Sequence, residues 1–465
     1  MPIQTLNPAT GEKLESFTAL TEEQLEAKLA RAHKAFLDWR DQPLRERVKL
    51  LRKVAEILQR DRRTYAELMT QEMGKLVGAA EAEALKCAAC CTWYADNADR
   101  LLKPEVIEIE NEDASVHFQP LGVVLAVMPW NFPFWQVLRF AAPAILAGNA
   151  ALLKHASNVP RCALALEKLF IAAGAPEGLF TTLLVGSDAV PALLADPRVA
   201  AATVTGSEAA GSSVAEHAGR NLKPTVLELG GSDPFIVLPS ANIDAAVKAA
   251  VAARTVNNGQ SCIAAKRFIV HEDVYAEFEQ KFVQQMQALI VGDPMDARTQ
   301  VGPLATKAGL EELDAQVLAS VKAGAKLRIG GKKLKRPGFY YTPTVLAEIP
   351  PNSPAARDEI FGPVAAVFKA RDIGDAIRKA NDSRYGLGAS AWTTERREIG
   401  RLVEELQAGS VFINAMVASD PRAPFGGIKA SGYGRELSAY GLREFVNVKT
   451  VRIAKAVAPV EPSTE

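Results

Sequence analysis

Gly122-Val123-Val124-Leu125-Ala126-Val127-Met128, running into Pro129-Trp130-Asn131-Phe132-Pro133, is the stretch on which the fold turns. An uncharged run of β-branched and aliphatic residues, closed by prolines around a polar residue, reads as a fully buried strand that delivers its C-terminal end to a loop. The same pattern recurs at 150–153, 181–185, 200–204 and 225–229, with longer amphipathic segments between, such as 162–173 and 209–219. Short apolar runs alternating with helical ones predict a parallel sheet covered by helices on both faces. A second series has strands near 235–238, 268–270, 364–368, 389–392 and 411–414 and helices near 243–256 and 274–289. The fold class is therefore α/β, with two doubly wound units in tandem. The crossing between them is placed at Gly230-Gly231, where glycine allows a permissive backbone.

Outward from these units, residues 21–99 carry helical spacing with mixed charge. Residues 106–109, the polar turn Asn111-Glu112-Asp113 and residues 115–118 predict a hairpin arm, and the segment after Ala454, rich in Ala and Pro, predicts a frayed tail. The chain has 465 residues, 48% of them hydrophobic, enough for two or three cores. Lys plus Arg and Asp plus Glu both number 54, so no global field draws the protein to nucleic acid or an anionic membrane. The expected partners are small molecules and copies of the same chain. The beginning of the chain shows no basic segment followed by an apolar run, and the apolar stretch 121–153 is broken by Pro129, Asn131, Pro133, Arg139 and Asn149. With five cysteines, an odd and sparse set, the expected compartment is the cytoplasm. The five histidines are scattered and none begins a His-Glu-x-x-His run, so no metal site is expected.

Among the cysteines, Cys87, Cys90 and Cys91 lie at helical spacing among alanines and Cys162 lies in an apolar helix, so all four read as small core residues. Cys262 differs. It closes Asn257-Asn258-Gly259-Gln260-Ser261-Cys262, a loop-forming polar cluster after a helix, where a thiol can be presented in a cleft. Glu228 ends the apolar strand Thr225-Val226-Leu227-Glu228, where a carboxylate is costly unless it has work or partners.

Six marks then occur in order along the chain: Pro129-Trp130-Asn131-Phe132-Pro133, Thr205-Gly206-Ser207 with Gly211, Glu228-Leu229-Gly230-Gly231, Gly259-Gln260-Ser261-Cys262, Glu359-Ile360-Phe361-Gly362-Pro363, and Pro424-Phe425-Gly426-Gly427. In this order, and with Glu228 34 positions before Cys262, they resemble the aldehyde dehydrogenase superfamily almost end to end. The resemblance implies two Rossmann-like α/β domains and a β-hairpin oligomerisation arm. An NAD(P)-binding domain would span 1–101 and 119–229, a catalytic domain 230–421, a return to the cofactor domain 422–441, and the arm and tail 102–118 and 442–465. It also implies Cys262 as the nucleophile, Glu228 as the base that activates water, and Asn131 with the backbone NH of Cys262 as oxyanion donors. Retention of Glu228 favours hydrolysis over the acyl-CoA-forming branch. Cys262, Asn131, Glu228 and Glu359 together argue against a catalytically silent relative.

For a cofactor, NAD or NADP, the resemblance implies Pro129, Trp130, Lys154, Ser157, Gly206, Ser207, Gly211, Leu229, Glu359 and Phe361. Gly206-Ser207 opens a helix whose N-terminus can face a phosphate. Ser157 stands where many NAD-preferring relatives carry a glutamate, which predicts that NADP is accepted. Within the superfamily the chain is most similar to short bacterial succinate-semialdehyde dehydrogenases, through residues 153–160, 229–235 and Ala418-Ser419-Asp420. That similarity implies Arg139, Trp135, Ser419 and Arg422 at the substrate, with the Arg139 guanidinium on its remote carboxylate. Another small aliphatic or carboxylated aldehyde is the alternative. A second arginine of these relatives is replaced by Val256, for which Arg254 or Arg422 could compensate.

Overall fold

The protein is described by a computed structural model covering residues 3–455. A hairpin, β1 (Ile3–Leu6) and β2 (Lys13–Phe17), precedes helices α1 (Glu22–Trp39), α2 (Leu44–Arg60), α3 (Arg62–Met73) and α4 (Val77–Leu102). Thr21 and Gln24 form a capping box that starts α1. Next come β3 (Glu105–Ile109), β4 (Glu112–Pro120), β5 (Val123–Met128), α5 (Trp135–Ala147), β6 (Ala150–His155), α6 (Pro160–Ala172), β7 (Phe180–Thr182), α7 (Val190–Ala195), β8 (Val199–Thr205), α8 (Glu208–Arg220) and β9 (Thr225–Glu228). The second unit holds β10 (Pro234–Val237), α9 (Ile243–Thr255), β11 (Arg267–His271), α10 (Glu272–Gln287), α11 (Lys307–Ala323), β12 (Lys326–Ile329), β13 (Thr344–Ala347), α12 (Pro354–Arg357), β14 (Val364–Ala370) and α13 (Ile373–Asn381). It continues through β15 (Tyr385–Gly386), β16 (Gly388–Trp392), α14 (Arg396–Glu405) and β17 (Ser410–Ile413). The chain then returns through β18 (Ile428–Lys429), β19 (Gly432–Tyr433), α15 (Ser438–Arg443) and β20 (Val446–Ala454).

The first sheet has the order β19-β9-β8-β5-β6-β7 and the second β12-β13-β14-β11-β10-β16-β17, each parallel except for one antiparallel edge strand. Both are doubly wound, as the alternating apolar pattern predicts. In the second sheet Phe235, Val237, Phe268 and Val270 feed one core while Ile236, Leu238 and Ile269 feed another, so successive side chains fill opposite faces. Helix α5 is buried on every side, which accounts for its uniformly apolar sequence apart from Gln136 and Arg139. Cys87, Cys90, Cys91 and Cys162 are fully buried, and all five cysteines are unpaired. Among the described residues no helix is long and apolar enough to cross a membrane.

Two expectations change. The chain does cross between the sheets after Glu228, but neither Gly230 nor Gly231 has a positive φ. They are required by close approach instead: a Cβ on Gly230 would lie 2.6 Å from the Glu359 carboxylate, and one on Gly231 2.6 Å from the Cys262 carbonyl. The hairpin β3–β4 and strand β20 pair with each other in a three-stranded antiparallel sheet, β20-β4-β3. The expected strand at 181–185 shortens to β7, while β1, β2, β12, β13 and α11 were not anticipated. Most of the expected tail, 456–465, lies outside the described residues.

Candidate active site

Three strand ends and one loop build the site. β5 ends in the Pro129–Pro133 segment that carries Asn131, β8 ends at Thr205 just before Gly206-Ser207, and β9 ends at Glu228. These are the C-terminal ends of neighbouring parallel strands, where open α/β sheets place ligands. The loop that carries Cys262 follows α9 and is shaped by its own polar residues. Asn257 and Asn258 adopt left-handed backbone angles, φ 52° and 59°, which asparagine tolerates better than most residues. Asn257 Nδ2 donates to the carbonyls of Asn131 (2.7 Å) and Gln260 (3.0 Å), tying the two loops together. Asn258 Nδ2 donates to Gly74 and Pro303, and its Oδ1 accepts from the Gly302 amide. Gly259 has φ +80° and no room for a Cβ against Gly362. The loop-forming polar cluster is thus a tightly bonded platform.

Around it lie charges that the local sequence did not reveal. Lys266, 1% exposed, donates to the carbonyls of Ser261 and Cys262, both at 2.7 Å, and pairs with Glu359 at 3.3 Å. Glu359 in turn accepts from the Gly231 amide. Arg254 is wholly buried and donates to the Gly259 carbonyl (2.7 Å). On the Asn131 side, His155 Nε2 donates to Pro133 O (2.9 Å), and Glu83 accepts from the amides of Phe134 and Trp135 (2.9 Å each), capping α5. Burial keeps His155 neutral by lowering its pKa to about 4. Glu83 is neutralised by Lys75, whose ammonium also sits 3.7 Å from the centre of the Phe132 ring. Asn131 is thereby held from three directions.

Pro129, Trp130, Gly206, Ser207, Leu229, Cys262, Glu359 and Phe361 converge on one cleft of about 530 Å³. Trp130 and Phe361 meet edge to face at 5.8 Å. The Ser207 hydroxyl accepts from the Ala210 amide and so caps α8, leaving that helix's N-terminus at the cleft. Gly211 lies outside the lining, where a Cβ would strike Leu229. Lys154 and Ser157 also lie outside it, at the end of β6 and beyond, Lys154 in register with Val127 of β5. Cys262 is only partly open, and burial pushes its thiol up to about 12 despite the opposing charges of Arg139 and Lys266.

Glu228 is 1% exposed, and neither carboxylate oxygen has a hydrogen-bond partner. Burial raises its pKa, outweighing the pull of Arg139, and the nearby Glu436 adds to the rise. Only glycine fits against it, since a Cβ on Gly426 would lie 2.8 Å from Glu228 Oε1.

Arg139, expected at the substrate, is not placed as a free carboxylate clamp. Its side chain is 2% exposed, its Nε is paired with Glu436, and its Nη2 lies 3.9 Å from Glu228. Two buried carboxylates take up the charge that the sequence reading gave to the substrate. Arg422 pairs with Asp420 (2.7 Å) on the surface, and Arg254, wholly buried, donates through Nη2 to the Gly259 carbonyl while its Nε and Nη1 have no partner. Trp135 and Ser419 do come together, through a residue the sequence reading passed over: Lys86 of α4 donates to Ser419 Oγ (2.7 Å), with its ammonium 4.2 Å from the centre of the Trp135 ring.

Comparison with known proteins fixes the lineage. The aldehyde dehydrogenase family model matches residues 1–451. The chain belongs to the aldehyde dehydrogenase family. It is 56% identical over 457 residues to succinate-semialdehyde dehydrogenase [NADP(+)] 1 of Mycobacterium tuberculosis, covering 98% of this chain and 100% of the relative. The succinate-semialdehyde dehydrogenase [NADP(+)] of Mycobacterium leprae is 54% identical with the same coverage. The solved succinic semialdehyde dehydrogenase of Streptococcus pyogenes, in complex with NADP+, superposes with a TM-score of 0.95 at 41% identity, over 97% of this chain and 100% of that one.

In this family member, Arg139→Leu should strand Glu228 and Glu436 as buried, uncompensated acids and destabilise the fold by about 3–5 kcal/mol. Urea unfolding measures that loss. Turnover should fall by a similar factor for carboxylated and uncharged aldehydes, and a defect confined to carboxylated ones would be incompatible with the geometry.

Proposed function

We propose that this aldehyde dehydrogenase oxidises succinate semialdehyde to succinate through a thioester on Cys262, with NADP+ as acceptor and NAD+ as a second choice. The observation that carries the hydrolytic ending is Glu228, a buried carboxyl whose two oxygens make no hydrogen bond, at the site that holds the thiol. Such a group is costly to fold and is suited to take a proton from water.

The cleft suits a nicotinamide dinucleotide, because Gly206 and Gly230 leave the wall bare and the N-terminus of α8 can face a phosphate. Lys154 and Ser157 would hold the adenosine ribose, Glu359 the nicotinamide ribose, and Pro129, Trp130, Leu229 and Phe361 the apolar faces. Ser157 is exposed and carries no charge to repel a 2′-phosphate, which supports NADP. When bound, the cofactor supplies the hydride acceptor.

In this reading the Cys262 thiolate attacks the aldehyde carbon and Asn131 donates its amide to the developing oxyanion. After oxidation of the adduct to a thioester, Glu228 takes a proton from water. The resulting hydroxide displaces the Cys262 sulfur, and the acid leaves. The sheet-1 unit serves as the cofactor domain and the sheet-2 unit as the catalytic domain. The β20-β4-β3 arm serves for self-association, supported by its two open edges and by exposed Val106, Val448 and Ile453. A cytoplasmic setting is in keeping with five unpaired cysteines.

Steady-state rates test the reading. kcat/KM for succinate semialdehyde should exceed that for butanal by about tenfold or more, as recognition of a charged group implies. NADP+ should serve at least as well as NAD+. Equal kcat/KM for the two aldehydes would remove the succinate semialdehyde assignment.

A further inference from the structure

Arg139 is paired with buried carboxylates, Arg422 with Asp420 on the surface, and Arg254 is wholly enclosed beneath the Gly259 carbonyl, so none of the three offers an open cation to the remote carboxylate of the proposed substrate. One ammonium near the end of the Asn131 loop, that of Lys86 over the Trp135 ring, pairs with no carboxylate. Lys86 projects from α4 one turn after Glu83, the residue that caps α5 and steadies the Asn131 loop. Its only hydrogen-bond partner is a hydroxyl, Ser419 Oγ, and its other close neighbour is the face of Trp135. An ammonium has three donors, and no carboxylate lies within ion-pair distance of this one among the described residues. The acid closest in sequence to its hydroxyl partner, Asp420, is gripped by Arg422 through both oxygens.

Such a group is poorly placed for stability alone. It is mostly buried, and burial together with the field of Arg139 lowers its pKa to about 8. A carboxylate arriving here would find a desolvated cation with donors to spare, a hydroxyl beside it and an aromatic wall along its methylene chain. Lys86, Trp135 and Ser419 lie outside the lining of the cleft described above, at the start of α5 directly after the Asn131 loop. Lys86 also links the two halves of the molecule, since α4 packs against α5 while Ser419 follows β17 of the second sheet.

We propose that Lys86, held between Trp135 and Ser419, is the cation that recognises the remote carboxylate of the aldehyde substrate. This rests on the succinate semialdehyde reading above, and it gives the site its preference for an ω-carboxylated aldehyde over a neutral one of the same length.

The test compares succinate semialdehyde with its methyl ester, which has the same carbon chain without the charge, in the full-length enzyme. Lys86→Gln should reduce kcat/KM for the acid about 10–100-fold more than for the ester, as loss of a charge-assisted bond implies, with the difference lying mainly in KM. Lys86→Met, which keeps the apolar stem over Trp135, is measured alongside and should show the same discrimination. Lys86→Arg should retain most of the wild-type preference. If both neutral variants lose acid and ester turnover by the same factor, Lys86 is structural and the proposal is overturned while the substrate reading stands. If the wild-type enzyme itself fails to prefer the acid to the ester, the substrate reading fails and Lys86 loses its role with it.

Discussion

Cys262→Ala should lower aldehyde oxidation by roughly 10⁴- to 10⁶-fold, the scale of loss when the nucleophile of a covalent mechanism, or a partner acting with it, is removed. The loss should be chemical and not structural. The loop is held by Asn257, Asn258, Arg254 and Lys266 through main-chain carbonyls and amides, and none of those bonds uses the sulfur. Alanine removes one atom from a partly open position and leaves the platform intact. No other thiol can substitute, because the remaining four cysteines are fully buried. Single-turnover formation of reduced cofactor measures the chemistry, and cofactor titration by fluorescence checks that binding survives. Normal turnover in the variant would sink the covalent route. A pH dependence accompanies this. Burial holds the resting thiol well above neutrality, so the thiolate is a minor species in the free enzyme. Alkylation by iodoacetamide should then be slow at neutral pH and quicken by about tenfold per pH unit as the thiolate fraction grows.

Glu228→Gln should separate the two halves of the reaction. The substitution keeps the shape and removes a buried carboxyl whose oxygens make no hydrogen bonds, so no partner is orphaned directly. Arg139 keeps its pairing with Glu436. What disappears is the acceptor for the proton of the attacking water, a contribution of about 10²- to 10⁴-fold when a positioned general base is lost. Rapid mixing should show a burst of reduced cofactor close to one equivalent per site, followed by a steady rate slowed by that factor. Equal slowing of burst and steady phases would move Glu228 to an earlier step. The sign of the pH effect follows from the raised pKa: the carboxyl is protonated in mild acid and gains its basic form as pH rises. Hydrolysis in the unmodified enzyme should therefore speed up from neutral to mildly alkaline pH, and the glutamine variant should lose that rise.

Several features were legible in the residues alone for a physical reason. Strands buried on both faces must be continuously apolar, so 123–128 and 199–205 announced themselves. Asn257 and Asn258 carried their backbone preference in their short polar side chains, and Gly259 in its lack of one. Short edge strands such as β12, exposed along most of its length, have no such pattern and went unseen. Gly230 and Gly231 were picked out correctly for the wrong cause, since a clash with a carboxylate and a carbonyl from elsewhere in the chain leaves no mark on the local sequence.

By itself, then, the sequence determined the alternating α/β architecture, the thiol loop and the carboxylate at the end of β9, because burial period and turn chemistry act over a few neighbouring residues. The tertiary structure alone decided where each charge goes. Arg139 meets Glu436, Lys266 meets Glu359, Lys75 meets Glu83, and Arg422 closes on Asp420, leaving Lys86 against a ring and a hydroxyl. In a low-dielectric interior a charge must be matched by whatever lies within a few ångströms. Three-dimensional proximity, not position along the chain, settles which cations are left without a carboxylate.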